Sequence, residues 1–131
     1  MEQNFNCEIV SPEKIIFSGE PFMVTLPSYE GDMSILKNHI SIITFLRPGV
    51  IKVEKNNTNI EEFFVQDGTV EFFNNNLVVL STSALSIKNI SKEFLDNLNQ
   101  DTLKKLENHD ISDQDRYILN QKLDILKEIR I

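Results

Sequence analysis

One cysteine, no tryptophan and only four glycines stand in this chain of 131 residues. The lone thiol, Cys7, excludes an internal disulfide framework and any cysteine-based zinc site. It alternates with Phe5 and Ile9, as a small buried hydrophobe on a strand would. Four glycines are too few for a glycine-rich phosphate loop. The longest aliphatic run, Leu77-Val78-Val79-Leu80, falls far short of the roughly 20 residues of a membrane helix. Residues 1–4, Met-Glu-Gln-Asn, carry neither a secretory signal nor an Arg-rich transit peptide, so the chain is expected to work where it is made.

Basic side chains are also scarce. Thirteen Lys and Arg face 20 Asp and Glu, a net charge of −7. That balance disfavours binding to nucleic acid, which needs clustered cations, and direct docking onto anionic lipid. A protein partner is the better expectation. His39 and His109 lie near no cysteine and form no His-x-x-x-His pair, so no metal is implied. No nucleophile or orienting group can be assigned to His39 as a base. The chain reads as a non-enzyme without a cofactor.

What remains is an ordinary soluble composition, 40 % apolar and 25 % charged, enough for one domain with an appendage. It changes character near residue 87. Eight of the nine Phe, all four Gly and all four Pro precede that point. Residues 1–86 carry 5 basic and 11 acidic side chains, and residues 87–131 carry 8 and 9. The expectation is a β-sandwich domain over 1–86 and a helical hairpin over 87–131.

Phe5–Val10 alternates with period two, as does a half-buried strand. Lys14–Ser18, Phe22–Leu26, Ile40–Leu46, Val50–Glu54, Ile60–Gln66, Thr69–Phe73 and Leu77–Ser81 follow as further strands, with turn residues between them. Pro27 is expected to end the third. Pro48-Gly49 suits a type II turn, and Asp67-Gly68 is a two-residue hairpin signal. The stretch Pro27–His39 reads as a contact loop: Tyr29, Glu30, Asp32, Met33 and His39 on one short excursion, built round the turn-forming Gly31.

After residue 87 the period changes. Ser91 is a plausible N-cap, and Phe94, Leu95, Leu98, Leu103 and Leu106 recur at helical spacing to about Glu107. Ser112 caps a second helix, with Asp113 and Asp115 favourable near its positive end. Ile118, Leu119, Leu123, Leu126 and Ile129 make its stripe. Two such helices form an antiparallel hairpin that must lean on the β domain or on a partner.

Taken in order, Ile9-Val10-Ser11-Pro12-Glu13, Ile16-Phe17-Ser18-Gly19, Leu26-Pro27, Glu30-Gly31-Asp32, Ile35-Leu36 and His39 resemble the epsilon subunit of F-type ATP synthases. Leu46-Arg47-Pro48-Gly49-Val50, Val65 with Gly68, Val70-Glu71 and the Asn-rich turn before Leu77 extend the resemblance over the whole chain. It implies a ten-stranded β-sandwich followed by two helices. It also implies a non-catalytic part of the central rotor stalk in a proton-translocating ATP synthase.

In that family the sandwich packs against the gamma subunit and its lower end rests on the ring of c subunits. The resemblance places Tyr29, Glu30, Asp32, Met33 and His39 at that ring. The chain departs from the pattern at Ser34, where the family has Gly, and at Lys37-Asn38, where it has Pro-Gly. In many members the hairpin extends along gamma and blocks ATP hydrolysis through transient contact with the alpha and beta subunits. Lys122, Lys127 and Arg130 are the basic side chains available for that. Asp113 and Arg116 match a nucleotide-binding motif of some members in spacing alone, and a helix N-cap followed by a solvated Arg is the simpler account of them. The implied location is peripheral, on the cytoplasmic face of a bacterial inner membrane. The competing reading is a stand-alone β-sandwich that binds a ligand or peptide.

Overall fold

The computed structural model describes residues 3–129. Ten strands come first: β1 (Asn6–Val10), β2 (Ile15–Gly19), β3 (Met23–Ser28), β4 (Gly31–Leu36), β5 (Ile42–Leu46), β6 (Gly49–Glu54), β7 (Ile60–Val65), β8 (Gly68–Phe73), β9 (Asn76–Leu80) and β10 (Leu85–Ser86). A single 3-10 turn at Ile87–Asn89 leads into α1 (Lys92–Leu106) and α2 (Asp113–Glu128).

The strands form one hydrogen-bonded path, β10-β7-β6-β3-β5-β8-β9-β1-β2, with β4 added beside β3. It folds into two layers because β3 changes partner along its length. Its first half pairs with β6 through Thr25, and its last residue, Ser28, pairs with Leu46 of β5. Alternate side chains from both layers meet in a core that includes Ile9, Leu26, Ile35, Ile51, Phe63, Phe72 and Leu77, all essentially inaccessible. Phe5 meets Phe72 edge to face at 5.7 Å, the arrangement aromatic quadrupoles favour.

Four expectations need correction. Pro27 does not end its strand: it pairs with Asp32 inside β3. Its carbonyl accepts from the Arg47 N–H at 2.9 Å, so the side on which proline lacks a donor faces the corner between β5 and β6. No ladder bond is needed there. The residues beyond it are therefore not a loop but the turn and second strand of a hairpin. Gly49 is not in a type II turn, since it lacks positive φ. A Cβ there would sit 2.5 Å from the Pro27 Cβ, so close approach of two backbones demands glycine. Asp67-Gly68 is not a hairpin either. It carries the chain from β7 to β8, which lie in different layers. By contrast Asn74 and Asn75, at φ 51° and 61°, make the paired positive-φ turn that joins β8 to β9.

Both helices start as their sequences indicate. The Ser91 hydroxyl accepts from the Phe94 N–H and the Ser112 hydroxyl from the Asp115 N–H, each at 3.0 Å. Leu95 and Leu126 are buried against Phe64 and Ile90, a second apolar cluster outside the sandwich core. Phe63 points into that core while its neighbour Phe64 points outward, beneath the helices.

Candidate subunit-contact surfaces

The tip of the β3–β4 hairpin is a two-residue turn, Tyr29-Glu30, closed by the pair Ser28 and Gly31. Ser28 is fully buried. Its hydroxyl donates to the Gly31 carbonyl at 2.7 Å and accepts from the Glu30 N–H at 3.3 Å. Gly31 takes φ 126°, open only to glycine at low cost. Tyr29 and Glu30 are exposed. Arg47 grips the tip from the side: Nε donates to the Ser28 carbonyl at 3.0 Å and a terminal nitrogen to the Asp32 carboxylate at 2.7 Å.

The five residues expected on one contact loop are not on one surface. His39 lies beyond the far end of β4, nine residues after Glu30 and separated from the tip by a six-residue strand that spans about 17 Å at the usual rise. Its ring edge meets Phe72 at 5.8 Å, and its Nδ1 sits 2.6 Å from the Ile40 carbonyl oxygen, which places the proton on Nδ1. Asn38 beside it adopts φ 67°, a conformation Asn tolerates better than other side chains. Asn38 and Asn75 bond each other reciprocally, at 2.7 and 3.1 Å. Met33 is half-buried and packs on the core. Ser34 faces Thr25 across the hairpin, with hydroxyls 3.4 Å apart. Tyr29, Glu30 and Asp32 are left as one group at the tip.

The hairpin residues are also redistributed. Lys122 is buried in the seam with α1, only 7 % exposed, and so does not belong to an exposed basic face. Burial depresses its pKa, and nearby Lys105 adds to the effect. Lys127 is exposed, and Arg130 lies outside the described residues. Arg116 donates to the Leu106 carbonyl at 3.2 Å, capping the end of α1, while Asp113 is exposed in the first turn of α2. A cleft of about 890 Å³ separates the tip from α2; Glu30, Asp32 and Arg47 line one wall, Tyr117, Asp124 and Glu128 the other. Among the described residues no three side chains are grouped to hold a metal.

A larger surface had no counterpart in the sequence reading. On the outer face of β5-β8-β9-β1-β2, the register aligns Phe45, Thr69, Leu80, Val10 and Ile15 in one row. Phe45, Leu80 and Ile15 are 58, 54 and 60 % exposed, and Ile43 in the next row is 68 % exposed. Tyr29 adjoins the row, donating its N–H to the Phe45 carbonyl. The signal was there: β5 and β9 have large apolar residues at adjacent positions, Ile42-Ile43, Phe45-Leu46 and Val78-Val79-Leu80, so both strand faces are apolar. On the outer face of the other layer the protein's own helices cover Phe64, while Leu36, Ile60 and Leu85 stay partly exposed at 47, 39 and 37 %.

Residues 4–87 match the family described as ATP synthase, Delta/Epsilon chain, beta-sandwich domain. The ATP synthase epsilon chain of Pelagibacter ubique is 45 % identical over 130 residues, spanning 98 % of this chain and 99 % of that one. This chain belongs to the ATP synthase delta/epsilon family. The epsilon chain of Parvibaculum lavamentivorans is 34 % identical over 131 residues, covering 99 % of this chain and 98 % of its own. The same fold recurs in a chain of the Euglena gracilis mitochondrial ATP synthase structure containing OSCP, F1 and the c-ring. The TM-score is 0.72 at 17 % identity, over 95 % of this chain and 78 % of that one. This epsilon-type chain is therefore a non-catalytic subunit of an ATP synthase.

Proposed function

We propose that the chain joins the gamma subunit to the c-ring and carries rotation between them, with gamma seated on the row Phe45-Thr69-Leu80-Val10-Ile15. The observation that carries this reading is the asymmetry of the sandwich. One outer face is covered around Phe64 by the protein's own helices, and the other bears its more exposed apolar side chains, Ile43, Phe45, Leu80 and Ile15, in register. Adjoining exposed apolar side chains of this kind mark a protein-binding surface. A packed two-layer sandwich is stiff enough to transmit torque. The Tyr29-Glu30 tip is the ring contact in this reading, and its acidic side chains suit a basic loop. His39, at the opposite end, is not part of that contact.

Residues 1–86 act as the rigid body and 87–131 as a separable hairpin that, when released, reaches the alpha and beta subunits. Lys127 is then the exposed cation of α2 within the described residues. Arg116 closes the hairpin on the Leu106 carbonyl and Asp113 faces the positive end of α2, neither holding a nucleotide. The chain works peripherally, on the cytoplasmic face of a bacterial inner membrane. Co-purification with gamma tests the reading: a monomer indifferent to gamma supports the stand-alone binding module instead.

A further inference from the structure

We infer that Arg47 is the positioning residue that ties the tip to the gamma-facing sheet, and that Asp32 serves inside this clamp while Glu30 is the tip's outward carboxylate. The inference rests on the tip being the ring contact. Arg47 follows directly on β5, the strand that contributes Phe45 and Ile43 to the exposed row. It meets β3 and β4 three times: its N–H donates to the Pro27 carbonyl at 2.9 Å, its Nε to the Ser28 carbonyl at 3.0 Å, and its terminal nitrogen to Asp32 at 2.7 Å. The arginine side chain is 20 % exposed, so its two side-chain bonds leave from a largely enclosed group. The planar guanidinium fixes both partners at once, which the point charge of a lysine does not do.

Without the side-chain clamp, backbone contacts alone hold the tip to β5 and its continuation: the Arg47 N–H bond to Pro27, the Tyr29 N–H bond to Phe45 and the single β3–β5 pair at Ser28. Among the described residues β4 has no strand on its other side. A hairpin held on one edge twists and bends more readily than one held on both. Load applied at the tip would then deflect the hairpin instead of turning the sandwich. Arg47 therefore sets how well rotation is transmitted, not whether the subunit assembles. Asp32 is the anchor on the far strand. Its carboxylate engages Arg47 at 2.7 Å, whereas Glu30, at the apex of the turn and exposed, makes no side-chain bond to the sandwich among the described residues.

The test uses the assembled ATP synthase carrying Arg47→Met, Arg47→Lys or Asp32→Asn, with the tip variant Tyr29→Ala/Glu30→Ala as reference. ATP hydrolysis, ATP-driven ion pumping and retention of the subunit are measured together. Arg47→Met is expected to keep hydrolysis and gamma binding within twofold and to lower ions pumped per ATP at least threefold. Arg47→Lys should recover part of the loss, and Asp32→Asn should show a smaller loss in the same direction. Should Arg47→Met fail to fold, Asp32→Asn, at an exposed side chain, carries the test alone. Normal pumping by Arg47→Met or, in that case, by Asp32→Asn overturns the inference if the tip variant is uncoupled. If the tip variant also pumps normally, the placement of the ring contact fails, and the inference with it.

Discussion

Replacing Phe64 with alanine should release the helical hairpin while leaving the sandwich folded. Phe64 is completely inaccessible, yet it belongs to the apolar cluster formed with Ile90, Leu95 and Leu126 and not to the sandwich core. Among the described residues that cluster has four buried apolar side chains, each contributing about 1.5–3 kcal/mol, and five half-buried ones contributing less, before the entropy of ordering the helices is subtracted. Truncating a buried Phe costs about 3–5 kcal/mol, comparable to the whole docking energy. Helices of 15 and 16 residues are marginal in water once undocked, so release also melts them. Hydrogen exchange reads this directly. Amides of α1 and α2 should exchange faster by a factor of about a hundred to a few thousand, at 1.4 kcal/mol per tenfold. Core amides of β1, β8 and β9 should stay protected. The reasoning is refuted if helix and sandwich amides accelerate together, because hairpin and sandwich are then one cooperative unit.

Three further outcomes follow from buried groups and close contacts. Burial pushes the Cys7 thiol from 9.0 up to about 12, so the unfolded chain loses its proton first as pH rises. Stability is then full below pH 9 and falls above it. Urea titration at pH 10.5 should show a loss of about 2 kcal/mol relative to pH 8 that Cys7→Ala lacks. Lys122 has the opposite sign: its pKa is lowered in the fold, so its contribution improves as pH rises towards 10.5. Lys122→Met should raise the stability of the hairpin by about 1 kcal/mol at pH 7, read from the same helix amides, by removing a desolvated charge. Gly49→Ala would place a methyl 2.5 Å from the Pro27 Cβ. The rigid ring cannot turn aside, so thermal unfolding should show a loss of about 1–3 kcal/mol.

Eight of the strands and both helices were legible in the sequence because alternation, N-cap serines and turn residues agreed locally. β4 was not, because Pro27 reads as a strand stop until its neighbours are known. The missing donor costs nothing at a corner where the partner strand changes, and a partner change is a property of the whole sheet. β10 has only two residues and no pattern of its own. Asp67-Gly68 had the chemistry of a hairpin, but crossing between layers needs a tight backbone too: a Cβ on Gly68 would come 2.8 Å from the Leu80 carbonyl. Of the contact residues, Tyr29, Glu30 and Asp32 were found as a group, whereas His39 was joined to them only by sequence proximity. A six-residue strand separates them. Lys122 looked exposed because charge was read without the seam that α1 provides. The apolar row escaped notice because it exists only once five strands are in register.

That row is the centre of the account, and the affinity of gamma for Leu80→Glu tests it most directly. Leu80 is 54 % exposed, so the change should leave the stability of the free chain within about 0.5 kcal/mol. In the complex it would bury a carboxylate where an aliphatic side chain was covered. The expected result is a correctly folded subunit that binds gamma at least tenfold more weakly, about 1.4 kcal/mol. Unchanged affinity would show that gamma is seated elsewhere.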